Sequence, residues 1–440
     1  MHLSYEGGAH GGGLSRVRLL EPLRHRDFRL LWSGMCVSLL GDGIFVVAMA
    51  WQVYALSNAP TALALVGITM TIPTIALLLL GGVLSDRFDR RRIMVIADIV
   101  RGLAVGLLAL LSLTGVLELW HIAVLAAFYG GGTAFFSPSF DALVPEVLPA
   151  DDLAQANALD QFVRPIALRL AGPALGGVLI DLLGAGTAFA VDAASFVVSA
   201  IALLAMAPGV RAPAQEAAGT VTGDIAVGLR YIRSHVWLWA TFASAAIAYL
   251  LFMGPAEVLL PFVVKNDLHG SAADLGIVFA AGGIGSVGCA VLLGQRGLPR
   301  RDITFMYVTW TLATLAVAGY GLSTAVWQLM IASLAFNALE TAGTIVWATA
   351  KQRHVPTALL GRVSSLDWLI SIGLLPLSFA LTGPVSAALG ARTTLIAAGV
   401  LGAVVTFAAL LLPGMRDVEE ARTESVGRPR PLVAGVSRTP

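Results

Sequence analysis

Ionisable residues stand within the long apolar runs of this sequence, among them Asp42, Arg169, Glu257 and Glu340. A charge at membrane depth is costly unless it is paired or faces water, so such groups mark pathways or pairs. Asp42 comes eleven residues after Leu31, where its run begins. At about 1.5 Å of rise per residue that is roughly 16 Å along a helix, close to a bilayer centre. Arg169 lies ten residues into its own run and reaches a similar height, so the two are expected to pair. A carboxylate held by a guanidinium that cargo or helix motion can draw away is a proton switch, and Asp42 is the first choice for the protonatable site. Asp98 and Arg101, spaced i, i+3, are expected to pair locally and to serve structure. Asp192 and Arg164 are expected to be structural partners with no part in transport.

Other chemistries find no constellation. The seven histidines sit in tails or at the edges of apolar runs, without the paired spacing of metal ligands, so no metal site is expected. Residues 283–288 match G-x-G-x-x-G, but inside an apolar run with no preceding strand, which reads as a packing face rather than a dinucleotide site. The glycine cluster at 7–13 lacks the following Lys-Ser/Thr of a phosphate loop, and the chain has just two lysines, Lys265 and Lys351. Neither an enzyme nor a cofactor is expected. Cys36 and Cys289 lie far apart in apolar runs and imply no disulfide framework. The first 30 residues hold no cleavable apolar core, so the first span itself is expected to direct insertion.

The elements that must position these charges follow from composition. Of 440 residues, 57% are hydrophobic and 12% charged, against about 25% charged in an ordinary soluble domain. A soluble fold of this size would lack polar surface to cover itself, so the excess apolar surface faces lipid. Twelve continuously apolar runs can be marked, at 31–56, 61–84, 93–113, 120–140, 159–183, 185–206, 238–264, 273–293, 303–322, 325–350, 366–389 and 393–412. Each suits a spanning helix of roughly 20 residues, and their lack of alternation argues against barrel strands. The net charge of +1 gives no reason to expect a nucleic-acid partner.

Seventeen basic residues between Arg16 and Arg362 fall on one side of this arrangement, against Lys265 and Arg392 on the other. Basic loops stay cytoplasmic, so both termini are expected there. The chain also repeats itself. Val144-Pro145 and Gly172-Pro173 recur as Val355-Pro356 and Gly383-Pro384, and Arg90-Arg91 recurs as Arg300-Arg301. A displacement of about half the chain gives two six-helix units in the same orientation, a parallel repeat. The expected organisation is a cytoplasmic tail at 1–27, a bundle at 28–206, and a linker at 207–237 whose Ile225, Leu229, Ile232 and Trp237 share one face of an interfacial amphipathic helix. A second bundle at 238–412 and a disordered cytoplasmic tail at 413–440 complete it.

The second and third runs are joined by Gly82-Val83-Leu84-Ser85-Asp86-Arg87-Phe88-Asp89-Arg90-Arg91. This segment resembles the signature G-x-x-x-D-R-x-G-R-R of the major facilitator superfamily, with Asp89 in place of the second glycine. The resemblance implies an all-α integral membrane fold of twelve helices in two pseudo-symmetric six-helix bundles. It assigns Gly82 to close packing and Asp86, Arg87, Arg90 and Arg91 to a gate whose charge-assisted bonds break as the halves rock. Gly172, Pro173, Gly176 and Gly177 resemble the end of the antiporter signature of the same superfamily, while its two upstream glycines are Leu159 and Leu168 here. A Gly-Pro pair weakens the helix ladder and permits a kink. In the resembled family the helix carrying Glu340 borders a central cavity, which makes Glu340 a candidate for a cationic cargo or a second proton, with Glu257 serving similarly nearer the outside.

The expected function is secondary active transport, in which protons drive efflux of amphipathic or lipophilic small molecules by alternating access, as in bacterial multidrug exporters. An importer or proton symporter uses the same scaffold, and a non-transporting membrane sensor is the remaining alternative. The expected partners are small-molecule cargo, protons and the lipid bilayer, with the chain a monomer. With 26 arginines against two lysines the composition points to high-GC coding and a bacterial plasma membrane.

Overall fold

The computed structural model describes residues 18–149, 152–207, 221–296, 299 and 301–419, apart from some side chains within helices. Among the described residues twelve helical segments are long and apolar enough to cross a membrane. The first six spans are α1 (Arg26–Leu56), α2 (Pro60–Arg87), α3 (Arg90–Leu113), α4 (Leu119–Val147), a composite of α5 (Leu153–Pro165) and α6 (Gly172–Leu183), and α7 (Ala185–Leu204). A linker helix, α8 (Val221–Arg233), precedes the second six: α9 (Val236–Phe262), α10 (Ala272–Arg296), α11 (Asp302–Leu322), α12 (Val326–His354), a composite of α13 (Thr357–Gly373) and α14 (Leu375–Leu389), and α15 (Ala391–Leu410). In each half the turn before the last helix is made by a glycine at φ +83°, Gly184 and Gly390. That left-handed conformation is open to glycine at little cost, and its recurrence makes the sequence repeat a structural one.

The spans show large apolar side chains outward, among them Leu103, Leu182 and Ile201, each at least 60% exposed. Such a surface is stable only in lipid. Inside, packing depends on small residues. A Cβ on Gly172 would lie 2.7 Å from the Cα of Gly43, and one on Gly176 would lie 2.9 Å from the Cα of Ile44, so α1 and α6 meet backbone to backbone. Gly177 faces the other way, where a Cβ would lie 2.8 Å from the Cα of Ala273 in the second bundle.

Three expectations change. The tail at 1–27 includes a 3-10 helix over Arg18–Arg24, and α1 begins at Arg26. Residues 1–17 of that tail lie outside the described residues. The segment after 413 is folded as far as 419: Met415 is wholly buried and Glu419 accepts hydrogen bonds from the Thr304 amide and hydroxyl. Residues 420–440 of the expected disordered tail lie outside the described residues. In the linker, Ile232 on α8 is buried against the second bundle while Leu229 is exposed, so α8 docks on protein as well as presenting an outer face; Trp237, expected on the same helix, is buried in the first turn of α9. The side chain of Ile225 lies outside the description.

Asp89, the departure from the superfamily pattern, is the N-cap of α3, and its carboxylate accepts from the amides of Arg91 (3.0 Å) and Arg92 (3.4 Å). Asp is among the best N-caps, and removing such a cap costs about 1 kcal/mol. Asp89→Ala is expected to lower the stability of the purified protein by that amount, read as a lower thermal midpoint, while Asp89→Gly, which restores the superfamily residue, costs only a few tenths of a kcal/mol. Equal midpoints for wild type and Asp89→Ala would remove the cap from the account.

Candidate functional site

The charged residues inside the spans gather in two places. The first is the interior of the first bundle, where α1, α3, α4 and α7 meet. Asp98 and Arg101 pair at 2.5 Å, both essentially without exposure. The Arg101 guanidinium lies 4.4 Å from the ring centre of Phe136 and 4.5 Å from that of Phe196, so its faces gain from both rings. Its stem has room because position 132 is glycine, where a Cβ would lie 2.6 Å from the Arg101 Cγ. Asp42 accepts a 2.6 Å hydrogen bond from the Tyr129 hydroxyl and lies within electrostatic reach of Arg101 and Arg164. Asp192 completes the group from α7, with Ser195 donating to it at 3.3 Å.

The expected pairing of Asp42 with Arg169 is therefore corrected. The two share a height but not a face. Residues Ile166–Ala171 form a π-helical turn between α5 and α6, closed by the Gly172 amide bonding to the Ala167 carbonyl five residues back. A proline at 173 has no amide, and its ring crowds the carbonyl four residues earlier. Widening by one residue relieves this and rotates the preceding turn. Arg169 consequently points to the opposite bundle, where its Nη1 donates to Asn337 Oδ1 at 3.4 Å. The proposed Asp192 and Arg164 partnership is also replaced: Arg164 bonds Asp160 on its own helix through two 3.1 Å contacts, and Asp192 joins the Arg101 cluster.

The second gathering brings polar side chains of the two bundles together. Arg169 lies near mid-span and Glu257 nearer the arginine-poor end; both are exposed, and each is within electrostatic reach of the other. Tyr249 on α9 is in reach of Arg169, Glu340 and Asp367. Glu340 accepts from Thr344 at 2.9 Å, and Asp367 is held by the Trp347 indole N–H at 2.9 Å and by Lys351. Sequence reasoning named Arg169, Glu257 and Glu340 but missed Tyr249, Asn337 and Asp367. The signal for Asp367 was an acid in an apolar helix, sixteen residues beyond Lys351. A concavity of about 520 Å³ lies elsewhere, on the outer side of α2, α3 and α4, and it is lined by apolar side chains and glycines such as Ile96, Phe128 and Gly131.

The bundles touch closely from mid-span to the arginine-poor end. There the Tyr54 hydroxyl on α1 donates to the Val258 carbonyl on α9 at 2.7 Å. Lys265 stands 5.2 Å over the Trp51 ring, and Thr61 packs on Gly383. Asp181, unremarked in the sequence, accepts from the amides of Ala272 and Ala273 through its two oxygens, each at 3.0 Å. It caps the N-terminus of a helix belonging to the other bundle, where the first amides lack partners.

At the arginine-rich end the bonds described for the signature arginines stay within the first bundle. Arg90 donates to Glu146 (2.5 Å) and to the carbonyls of Ala142 and Ser85, and Arg91 donates to the Leu204 carbonyl. The expected gate across the halves is absent from these contacts, which join α3 to α4 and α7. The side chains of Gly82, Asp86 and Arg87 lie outside the described residues.

The same end carries a latch between the N-terminal segment and the loop before α5. Asp152 accepts from Arg24 (3.0 Å) and bonds His25 (2.8 Å), and these partners hold its carboxyl below the usual carboxylate range. A carboxyl so depressed contributes its stability above the unfolded value of about 3.9 and loses it as pH falls through the lower folded value. Asp152→Asn is expected to raise tryptic cleavage at Arg24 and Arg26 severalfold at neutral pH, whereas wild type resists down to pH ~4. Equal cleavage of both would show that the latch does not hold the segment.

Comparison with known proteins places this geometry. Over 401 residues the chain is 26% identical to the multidrug efflux pump Tap of Mycolicibacterium fortuitum, covering 87% of this chain and 94% of that protein. It is 28% identical to the enterobactin exporter EntS of Citrobacter koseri over 352 residues, 78% of this chain and 81% of that one. Its fold matches a bacterial homologue of the human lysosomal transporter Spinster, solved in an inward-facing and unoccupied conformation, with a TM-score of 0.63 at 16% identity over 94% of this chain and 100% of that one. The model of the transmembrane secretion effector family matches residues 18–438. Twelve spans, a duplicated bundle and that match over nearly the whole length show that the chain belongs to the transmembrane secretion effector family of the major facilitator superfamily.

Proposed function

We propose that the chain exports amphipathic or lipophilic small molecules across a bacterial plasma membrane in exchange for protons, as a monomer without enzymatic activity. The observation that carries this reading is the placement of Asp42. It is an acid at mid-span in the first bundle, bonded to Tyr129 and near Arg101. A carboxyl inside a bundle that rocks against its partner changes its solvent access with each swing, which is what coupling requires. Relatives named as a multidrug pump and as an exporter support the outward direction.

In this reading the moving bodies are 28–206 and 238–412, joined by the linker at 207–237. The arginine-rich end, with both termini, is cytoplasmic. The structure is then the state closed to the outside, with Asp181 and Tyr54 in the closed gate. A panel of toxic compounds tested on cells expressing the chain checks the direction. Protection with lowered accumulation supports export, and heightened sensitivity with raised accumulation would instead mark an importer.

A further inference from the structure

Asp192 sits beside Asp42 without a counter-ion in contact. Its side chain has no exposure, Oδ1 receives the Ser195 hydroxyl, and Oδ2 has no partner among the described residues. The carboxyl occupies the space that a Cβ at position 41 would need, so Gly41 is what admits it against the backbone adjoining Asp42. The groups facing it are Asp42 from α1, Arg101 from α3 and Tyr129 from α4, with Asp98 of α3 reaching Arg101 and Asp42, and Arg164 reaching Asp42 from α5. Arg101 is committed to Asp98.

Three carboxyl groups therefore share one buried guanidinium, and an uncompensated carboxylate in such a place is strongly disfavoured. The electrically balanced cluster holds two protons. Asp42, partly exposed, accounts for one; Oδ2 is unpartnered in both Asp98 and Asp192, and because Asp98 is in contact with Arg101 the other proton belongs on Asp192.

We propose that Asp192 is a second proton carrier in the exchange cycle, loading and unloading through Asp42. The Asp42 O–H bond breaks first and its proton passes to water. The Asp192 O–H bond then breaks as its proton forms a new O–H bond on the vacated Asp42 carboxylate, and that bond breaks in turn to release the second proton; two protons taken up from the opposite side through Asp42 reload both carboxyls, so each cycle moves two. The proposal rests on proton-coupled export.

Infrared spectra of the full chain in lipid vesicles test it without any cargo. Asparagine matches a protonated aspartate in shape, so Asp192→Asn is expected to fold and to lose one carboxylic-acid carbonyl band that wild type shows at neutral pH and loses as pH rises. Asp192→Glu should keep a shifted band and guards against misfolding as the cause. In Asp42→Asn the Asp192 band should persist to higher pH, its exit removed. A difference spectrum between wild type and Asp192→Asn with only carboxylate bands, or an Asp192 acid band that persists at every pH, overturns the proposal. The second readout is the number of protons moved per ethidium, used as a fluorescent probe, which should fall from two in wild type to one in Asp192→Asn. An unchanged ratio overturns this proposal alone. No proton movement with ethidium or with any compound that the wild type exports overturns proton coupling, and this proposal with it.

Discussion

Asp42→Asn is expected to reduce pH-gradient-driven efflux by at least about tenfold, equivalent to ~1.4 kcal/mol, while leaving cargo binding and downhill exchange near wild type. Asparagine keeps an acceptor for the Tyr129 hydroxyl at Oδ1 but cannot carry a proton. The substitution separates coupling from folding because it removes charge without opening a void. Loss of cargo binding along with efflux would make Asp42 part of the cargo site, and unchanged efflux under a pH gradient would exclude it from coupling.

The second large effect is expected at Asp181. Its two 3.0 Å bonds to the amides of Ala272 and Ala273 join the bundles at the arginine-poor end. Because the carboxylate is exposed, its worth is that of an ordinary cap, about 1–2 kcal/mol. Asp181→Ala should thus shift the population from the closed towards the open outer end by roughly five- to thirtyfold. Distances between spin labels at positions 58 and 268, on the two bundles near that end, report the shift directly. Labels that show one unchanged short distance in Asp181→Ala would show that the cap does not set the equilibrium.

Much of the fold was legible because lipid imposes one rule on every span. Twelve apolar runs, an asymmetry of arginine and a half-chain repeat are global signals, and they survive errors of several residues at each boundary. The candidate site was legible only in part. Height along a helix follows from residue count, so the mid-span depth of Asp42 and Arg169 could be read directly. The face of a helix also follows from count, but only while the helix is regular. The π turn at Ile166–Ala171 broke that count and sent Arg169 to Asn337.

Asp192 was given the wrong partner and Asp181 went unread, for different reasons. Asp192 needs the packing of α7 against Gly41 before it meets Asp42, a contact between distant parts of the chain. Asp181 lies at the end of its span, where an acid looks like ordinary surface until the N-terminus of α10 is placed against it. The departure at Asp89 was readable in principle, since Asp followed by a long helix is an N-cap signal. The superfamily pattern drew attention to the missing glycine instead.

The central claim is that cargo and protons move in opposite directions through this chain. One measurement addresses it most directly: the lumenal pH of proteoliposomes loaded with a compound that the chain exports, followed with a trapped pH-sensitive dye as the compound leaves. Antiport requires protons to enter as cargo departs, whichever way the protein is inserted, so the lumen should acidify in wild type and stay constant in Asp42→Asn. A lumen that turns alkaline as cargo leaves, or one that keeps its pH while wild-type efflux proceeds, would contradict the account.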